Sequence, residues 1–435
     1  MELTGQPFVD VGYAIAAELQ GKSNVTSLTE EDLSKAVTHL ISRLGDPLTD
    51  GREKRPLARL GVLPTYWQNN PYSGRNISAI TVPEYEGMLT GARDGCVRLP
   101  RTCCQTCGCV GAYLDVNRSW FPLGASSGSD PCSLPNLAGK YLCATCFSAV
   151  VLLPLGCRFI GGNAYLFHVP DPDLICEAVK RGVTDVESQA MLAKARDNTG
   201  IRTVSKLSGK SALLELVSGS RLWDQTQGGT LTRRADRGAL VVAFSNAGAS
   251  PAWHQLHVPA QALDFFAALD RLDLRGEFLK WAPKCDRQYV PAGGGSKKAN
   301  DLYDRLAEAV EQRGSLGPLL RSVALRRKSP YRTLTQGERK VLEVYEDVAL
   351  GRRRRFDLVN QLAERIKVME AVRRDSFLRR LANTKKKETL LRMLCDLAKS
   401  DRTQLRISIE ELRMLDSERG DEVTALLYLL CIAEG

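Results

Sequence analysis

Residues 103–123 read CCQTCGCVGAYLDVNRSWFPL, and residues 141–156 answer with YLCATCFSAVVLLPLG. Each stretch holds a CxxC pair, Cys104/Cys107 and Cys143/Cys146. Zn2+ takes four ligands in a tetrahedron, and CxxC lets two thiolates on one tight turn fill two corners. Gly108 follows the first pair, where the backbone of a zinc knuckle turns sharply. The second pair runs into the apolar FSAVVLLPLG and reads as buried. The pattern predicts one structural zinc on Cys104, Cys107, Cys143 and Cys146, with its sphere closed by four sulfurs. The 35 residues between the pairs exceed the ribbon spacing of about 15–20. Cys103, Cys109 and Cys132 lie nearby, so the ligand set stays open. The competing reading packs these thiols as small apolar groups. A redox role is disfavoured, because neither CQTC nor CATC sits in a thioredoxin-like βαβ context.

The 435 residues are 43% apolar and 25% charged, with thirteen cysteines and a net charge of +10. That composition belongs to a globular chain of two or three domains, and the basic balance favours a polyanionic partner. The opening MELTGQPFVDVGYAIAAELQ has an acidic second residue and no basic n-region, so no signal peptide is expected. No apolar run approaches the roughly 20 residues of a membrane span. The expectation is a cytoplasmic protein with reduced thiols and no membrane partner.

Around the cysteines the pattern is mixed. SLTEEDLSKAVTHLISRL (27–44) carries helical spacing behind a capping box expected at Ser27 and Glu30. NAYLFHVP (163–170) alternates as a strand, and residues 173–197 read as a helix. GALVVAFSN (238–246) and AWHQLHVP (252–259) read as a strand pair, before a helix over 260–272. Three glycines in PAGGGSKKAN (291–300) mark a linker. Everything after it has helical periodicity, including one long amphipathic stretch over 352–383. The predicted architecture is therefore α+β. A mixed α/β N-terminal domain with a structural zinc site spans 1–295, and an all-α helical bundle spans 296–435. Between Arg321 and Ser400 there are 22 Lys/Arg against 10 Asp/Glu, a net of +12. The rest of the chain is therefore slightly acidic.

Searches for catalytic constellations fail. The four histidines, His39, His168, His254 and His257, include no HxE and no HExxH. Neither Gly21-Lys22-Ser23 nor Gly209-Lys210-Ser211 has the required glycine five residues earlier; Ala16 and Val204 stand there. There is no GxSxG elbow. We expect a protein that is not an enzyme. The rival readings are a zinc-dependent hydrolase or nuclease, and a free-standing zinc-ribbon DNA-binding regulator.

One combination of motifs goes further. TGQPFVDVG (4–12) opens the chain. CxxCG at Cys104–Gly108, the run Arg118–Leu123, the small polar GASSGSDPCSLPNLAGK, CxxC at Cys143–Cys146, Leu153–Gly156 and Gly161-Gly162 before a strand follow in order. Together they resemble the CXXC-CXXC-region family of CRISPR-associated proteins, the large subunits of type I-B Cascade complexes, including the DevT-like branch. The resemblance covers about the first 175 residues. It implies a non-catalytic subunit of an RNA-guided DNA surveillance complex. Such a subunit holds the crRNA 5′ handle, contacts target double-stranded DNA at the PAM and helps open it. It docks a downstream helicase-nuclease or, in CRISPR-associated transposons, transposition proteins. Backbone, handle-binding and small Cascade subunits would be its neighbours, with the small subunit in some cases a separately translated C-terminal fragment.

Matching residues to that role gives two candidate surfaces. Base-edge reading needs amides or guanidinium groups on a loop, and YWQNNPYSGRN offers Gln68, Asn69, Asn70, Arg75 and Asn76. The plainer reading has these amides satisfying turn backbones. Gly161, Gly162 and Asn163 form a second PAM-side candidate. Backbone contact is expected from Arg352, Arg353, Arg354, Arg355, Arg373, Arg374, Arg379, Arg380, Lys385, Lys386 and Lys387, with a solvated helix face as the alternative.

Overall fold

The computed structural model describes residues 1–44, 103–110, 142–160, 163–196, 238–245, 252–274, 276–278, 308–326, 334–384, 386–400, 407–416 and 419–433. These residues are mostly helical, with one small sheet. They fall into two units, Met1–His257 and Val258–Gly435.

The first unit grows from TGQPFVDVGYAIAAEL. Helix α1 (Pro7–Leu19) starts where Gln6 caps the Val9 amide at 2.7 Å and Pro7 occupies the first helical position. Asp10 is fully buried. It accepts hydrogen bonds from the Thr4 amide and hydroxyl, each at 2.7 Å, and from the Gly5 amide at 2.9 Å. Its second oxygen also meets Nε2 of His168 at 2.9 Å. A buried carboxylate needs such partners, so Thr4, Gly5 and Asp10 act as one lock on the start of the chain. Phe8 through Ala17 are all buried, which makes α1 a core helix covered on every side, with Asp10 as its buried carboxylate.

Helix α2 (Glu30–Leu44) follows a short 3₁₀ turn at Val25–Ser27. Its capping pair is not Ser27 with Glu30. The Thr29 amide and hydroxyl donate to Asp32, and the Asp32 amide donates to the Thr29 hydroxyl at 3.2 Å. Ser27 is instead drawn into the 3₁₀ turn, where its hydroxyl donates to the Asn24 carbonyl at 2.7 Å. Helix α3 (Ala144–Val151) and a 3₁₀ turn at Leu153–Leu155 lead to the sheet.

Strands β1 (Arg158–Ile160), β2 (Asn163–His168), β3 (Ala239–Ser245) and β4 (Ala252–Val258) are ordered β1-β2-β3-β4. β1 and β2 pair antiparallel with Arg158 opposite Tyr165, and β2 and β3 with Ala164 opposite Phe244. Every residue of β2 after Asn163 is buried, so the alternation expected from the sequence does not set its exposure. Helix α1 packs on this strand, as does α4 (Pro172–Arg196), which Asp171 caps. Phe8 meets Phe244 edge-on, with centroids 5.2 Å apart, tying α1 to β3.

The described elements of the second unit are helical: α5 (Ala260–Arg271), α6 (Gly317–Arg326), α7 (Gln336–Val344), α8 (Arg353–Lys367), α9 (Ala371–Asn383), α10 (Lys387–Ser400), α11 (Ile409–Asp416) and α12 (Gly420–Cys431). A π-helical turn at Tyr345–Ala349 follows α7. α12 is buried throughout from Glu422 to Cys431, and α6, α8, α9 and α10 pack around it. The unit begins earlier than the linker expected at 291–300, which lies outside the described residues. Helix α5 belongs to it because Phe265 stacks edge-on with Phe278 and with Tyr345. The stretch 352–383 is two helices rather than one. The chain leaves α8 at Val368, turns through the buried Met369 and re-enters α9 after the extended Glu370.

Candidate metal centre and basic surface

The first cysteine pair sits on a turn that its own backbone closes. The Cys104 amide donates to the Cys109 carbonyl at 2.8 Å, and the Gly108 amide donates to the Cys104 carbonyl at 2.9 Å. Cys103 and Val110 bridge antiparallel across the base. Gly108 has a φ of +76°, the left-handed conformation that a side chain would strain. The second pair opens α3. Cys143 is the N-cap, and its sulfur accepts from the Cys146 amide at 3.4 Å. A helix N-terminus favours negative charge on that sulfur.

These two turns bring the sulfurs of Cys104, Cys107, Cys143 and Cys146 within 4.8 Å of one another, with Cys107 and Cys143 at 3.6 Å. A Zn–S bond of about 2.3 Å puts tetrahedral sulfurs about 3.8 Å apart, so the set matches the chemistry. Hydrogen bonds from Cys143 and Cys146 hold the Cys104 thiol far below its ordinary value, and the same contacts push Cys143 and Cys146 up. Burial raises Cys107. Four crowded thiols share little negative charge by themselves, whereas a dication lets all four ionise. Among the described residues no histidine or carboxylate joins the four sulfurs.

The other cysteines separate by exposure. Cys103 and Cys109 are exposed outside the cluster. Cys157, Cys176 and Cys431 are buried; burial pushes Cys176 and Cys431 up to about 12 and raises Cys157 too. They remain neutral packing groups. Cys132 lies outside the described residues.

One residue of the site escaped sequence reasoning. The Tyr13 hydroxyl lies 3.5 Å from the Cys146 sulfur, in a buried contact. Burial, then the adjacent Cys146, pushes the phenol well above its ordinary value, so it stays a proton donor. The contact needs α1 to lie close on α3, and Gly12 permits that. A Cβ at position 12 would sit 2.1 Å from the Ala149 carbonyl oxygen. Glycine before tyrosine on an apolar helix was the available signal.

The basic runs divide. Arg355 is buried, ion-paired with Glu346 and, at 2.8 Å, with Glu422, which corrects its assignment as a DNA contact. It neutralises two carboxylates inside the bundle. Arg352 also reaches Glu422, at 2.6 Å, and Arg353 faces Glu343, Asp347 and Asp357. Arg354 is exposed. Arg373 is exposed near Glu370, while Arg374 donates to the Lys367 carbonyl. Lys387 holds Asp416 through both its carbonyl and its carboxylate. Arg379, Arg380 and Lys386 are exposed and, among the described residues, form no ion pair. Asn163 starts β2 opposite Ile160. Gln68, Asn69, Asn70, Arg75, Asn76, Gly161, Gly162 and Lys385 lie outside the described residues.

No helix among the described residues is long and apolar enough to cross a membrane. His168 is bound to Asp10 and His39 to Glu187 at 3.0 Å, which leaves neither beside the sulfur cluster. No family model matches the chain, and no curated protein or solved structure matches it.

Proposed function

We propose that this chain is the non-catalytic large subunit of a type I-B-like Cascade. It would have an α+β body braced by one structural zinc, followed by a basic helical bundle. In that role it contacts the crRNA 5′ handle, recognises the PAM duplex, helps unwind target DNA and docks a helicase-nuclease or a transposition factor. Sequence reading of the target belongs to the guide, and the protein reads only the short flanking motif.

The observation that carries the reading is the meeting of two sequence blocks. The opening TGQPFVDVG and the CxxC pairs are the distinctive parts of the resemblance. Gly12 lies against Ala149, and Tyr13, the next residue, touches Cys146. Blocks that co-occur for a structural reason should be in contact, and these are. Four thiolates would fill the zinc sphere and leave no position for a reacting water, which argues for a brace rather than a hydrolase.

The test is to purify the chain from its host with its natural partners, sequence the RNA that accompanies it, and record zinc X-ray absorption. We expect short guide-like RNAs of common handle sequence and a four-sulfur zinc shell. A zinc shell with an oxygen ligand, or purified protein free of RNA, would overturn the assignment.

A further inference from the structure

Helices α9 and α10 meet at a corner that forms an open, shallow cleft of about 650 Å³, lined by Arg379, Arg380, Asn383, Thr384, Lys386, Thr389 and Met393. The lining holds three cations, an amide, two hydroxyls and no carboxylate. Two arginines of the 352–355 run are instead neutralised by acids: Arg355 by Glu346 and Glu422, and Arg353 by three carboxylates. Here the cations have no such neutralisation among the described residues.

A further cation lies behind the lining residue Thr384. Arg321 on α6 is only 6% exposed and donates to the Thr384 carbonyl at 2.8 Å. Among the described residues no carboxylate comes within ion-pair distance of it. Asp421 attracts it from farther away, while burial lowers its pKa. A buried guanidinium without a close counter-charge is unfavourable, and an anion seated above Thr384 would offset that cost. The end of α9 is closed by side chains: the Thr384 hydroxyl donates to the Arg380 carbonyl at 2.8 Å, and the Asn383 amide donates to the Arg379 carbonyl at 3.1 Å.

We infer that this corner is a seat for the phosphodiester backbone of a nucleic acid strand. Arg379 and Asn383 lie one turn apart on α9, with Arg380 beside them and Lys386 just past the helix end, so donors repeat along the corner. A row of guanidinium, amide and ammonium donors suits successive phosphates, which such groups bind independently of base sequence. The inference deepens the proposed function, because it gives the bundle's nucleic-acid contact a location and removes Arg352–Arg355 from it.

The test uses the full-length chain and labelled oligonucleotides of mixed sequence, single-stranded and duplex, with binding followed by fluorescence anisotropy over about 50–200 mM salt. The variant Arg379→Ala/Arg380→Ala/Lys386→Ala is compared with Lys340→Ala/Arg353→Ala/Arg413→Ala, which removes equal charge from exposed positions elsewhere. A charge-retaining Arg379→Lys/Arg380→Lys/Lys386→Arg variant guards against misfolding. We expect the cleft variant to bind about tenfold more weakly or worse, and its log–log salt slope to flatten by about 2 to 3. The surface control and the charge-retaining variant should keep the parent slope. Equal losses from cleft and control variants would overturn the inference, as would polyglutamate displacing the oligonucleotide more effectively than unlabelled DNA. The single-stranded and duplex arms show which form the cleft takes. Cleft-dependent binding in a protein that purifies without guide RNA would sink the Cascade reading alone. Guide RNA on a protein whose cleft variant binds like the parent would sink the cleft alone.

Discussion

Gly12 and Tyr13 sit 133 residues from the cysteine they serve, counted from Tyr13 to Cys146. Gly12 lets α1 lie on the backbone of α3, and Tyr13 then reaches the sulfur. Replacing Gly12 by Ala should raise helix propensity by about 1 kcal/mol. The added Cβ would sit 2.1 Å from a carbonyl oxygen, a backbone clash no rotamer relieves. Overpacking of this kind costs about 1–3 kcal/mol and separates the helices. We expect Gly12→Ala to lower the melting temperature by several degrees and to speed zinc release to a chromogenic chelator. An unchanged melt and release rate would show that α1 does not rest on α3 as described. The four cysteines that cluster were legible because CxxC is a local pattern that needs no knowledge of the fold. Tyr13 was not, because a glycine before a tyrosine on an apolar helix hints at a close approach but does not say which partner, 133 residues away, is approached.

At the scale of elements, the arginine run 352–355 shows what helix geometry does to charge. Successive residues on a helix point about 100° apart, so four consecutive arginines cannot share one surface. Arg353 and Arg354 face outward, while Arg355 points inward to Glu346 and Glu422. Arg355→Leu would leave Glu346 buried without a cation, and Glu422 with Arg352 as its close partner, at a cost of about 3–5 kcal/mol. Arg353→Ala removes exposed pairs worth roughly 0–1 kcal/mol. Urea unfolding followed by circular dichroism should show that contrast. Similar midpoints for the two variants would mean that Arg355 is not the internal counter-ion. Caps teach a related lesson. The Thr29–Asp32 pair won over Ser27–Glu30 because the 3₁₀ turn at Val25–Ser27 consumed Ser27 first. In α7, Thr335 and Glu338 form a reciprocal capping box, as the T-x-x-E spacing requires.

For the whole molecule, each unit has its own core. One is centred on α1 with the sheet and the sulfur cluster, the other on α12. A structural metal adds its binding free energy to the folding of the unit that holds it. Calorimetry with a strong chelator should therefore lower one transition and leave the other in place. Because thiolates must lose protons to bind metal, falling pH should weaken the site, and less chelator should then suffice. A chelator that moved both transitions equally, or neither, would contradict a brace confined to Met1–His257.

By itself the sequence determined what acts over a few residues: the two cysteine turns, the helical and strand segments, and the excess of positive charge in the second half. Tertiary structure decided which of those charges remain available and which helix seats the cysteine cluster. Arg355 and Glu422 are 67 positions apart, and Arg321 and Thr384 are 63. Neutralisation and close approach depend on distance in space, which local patterns along a chain do not encode.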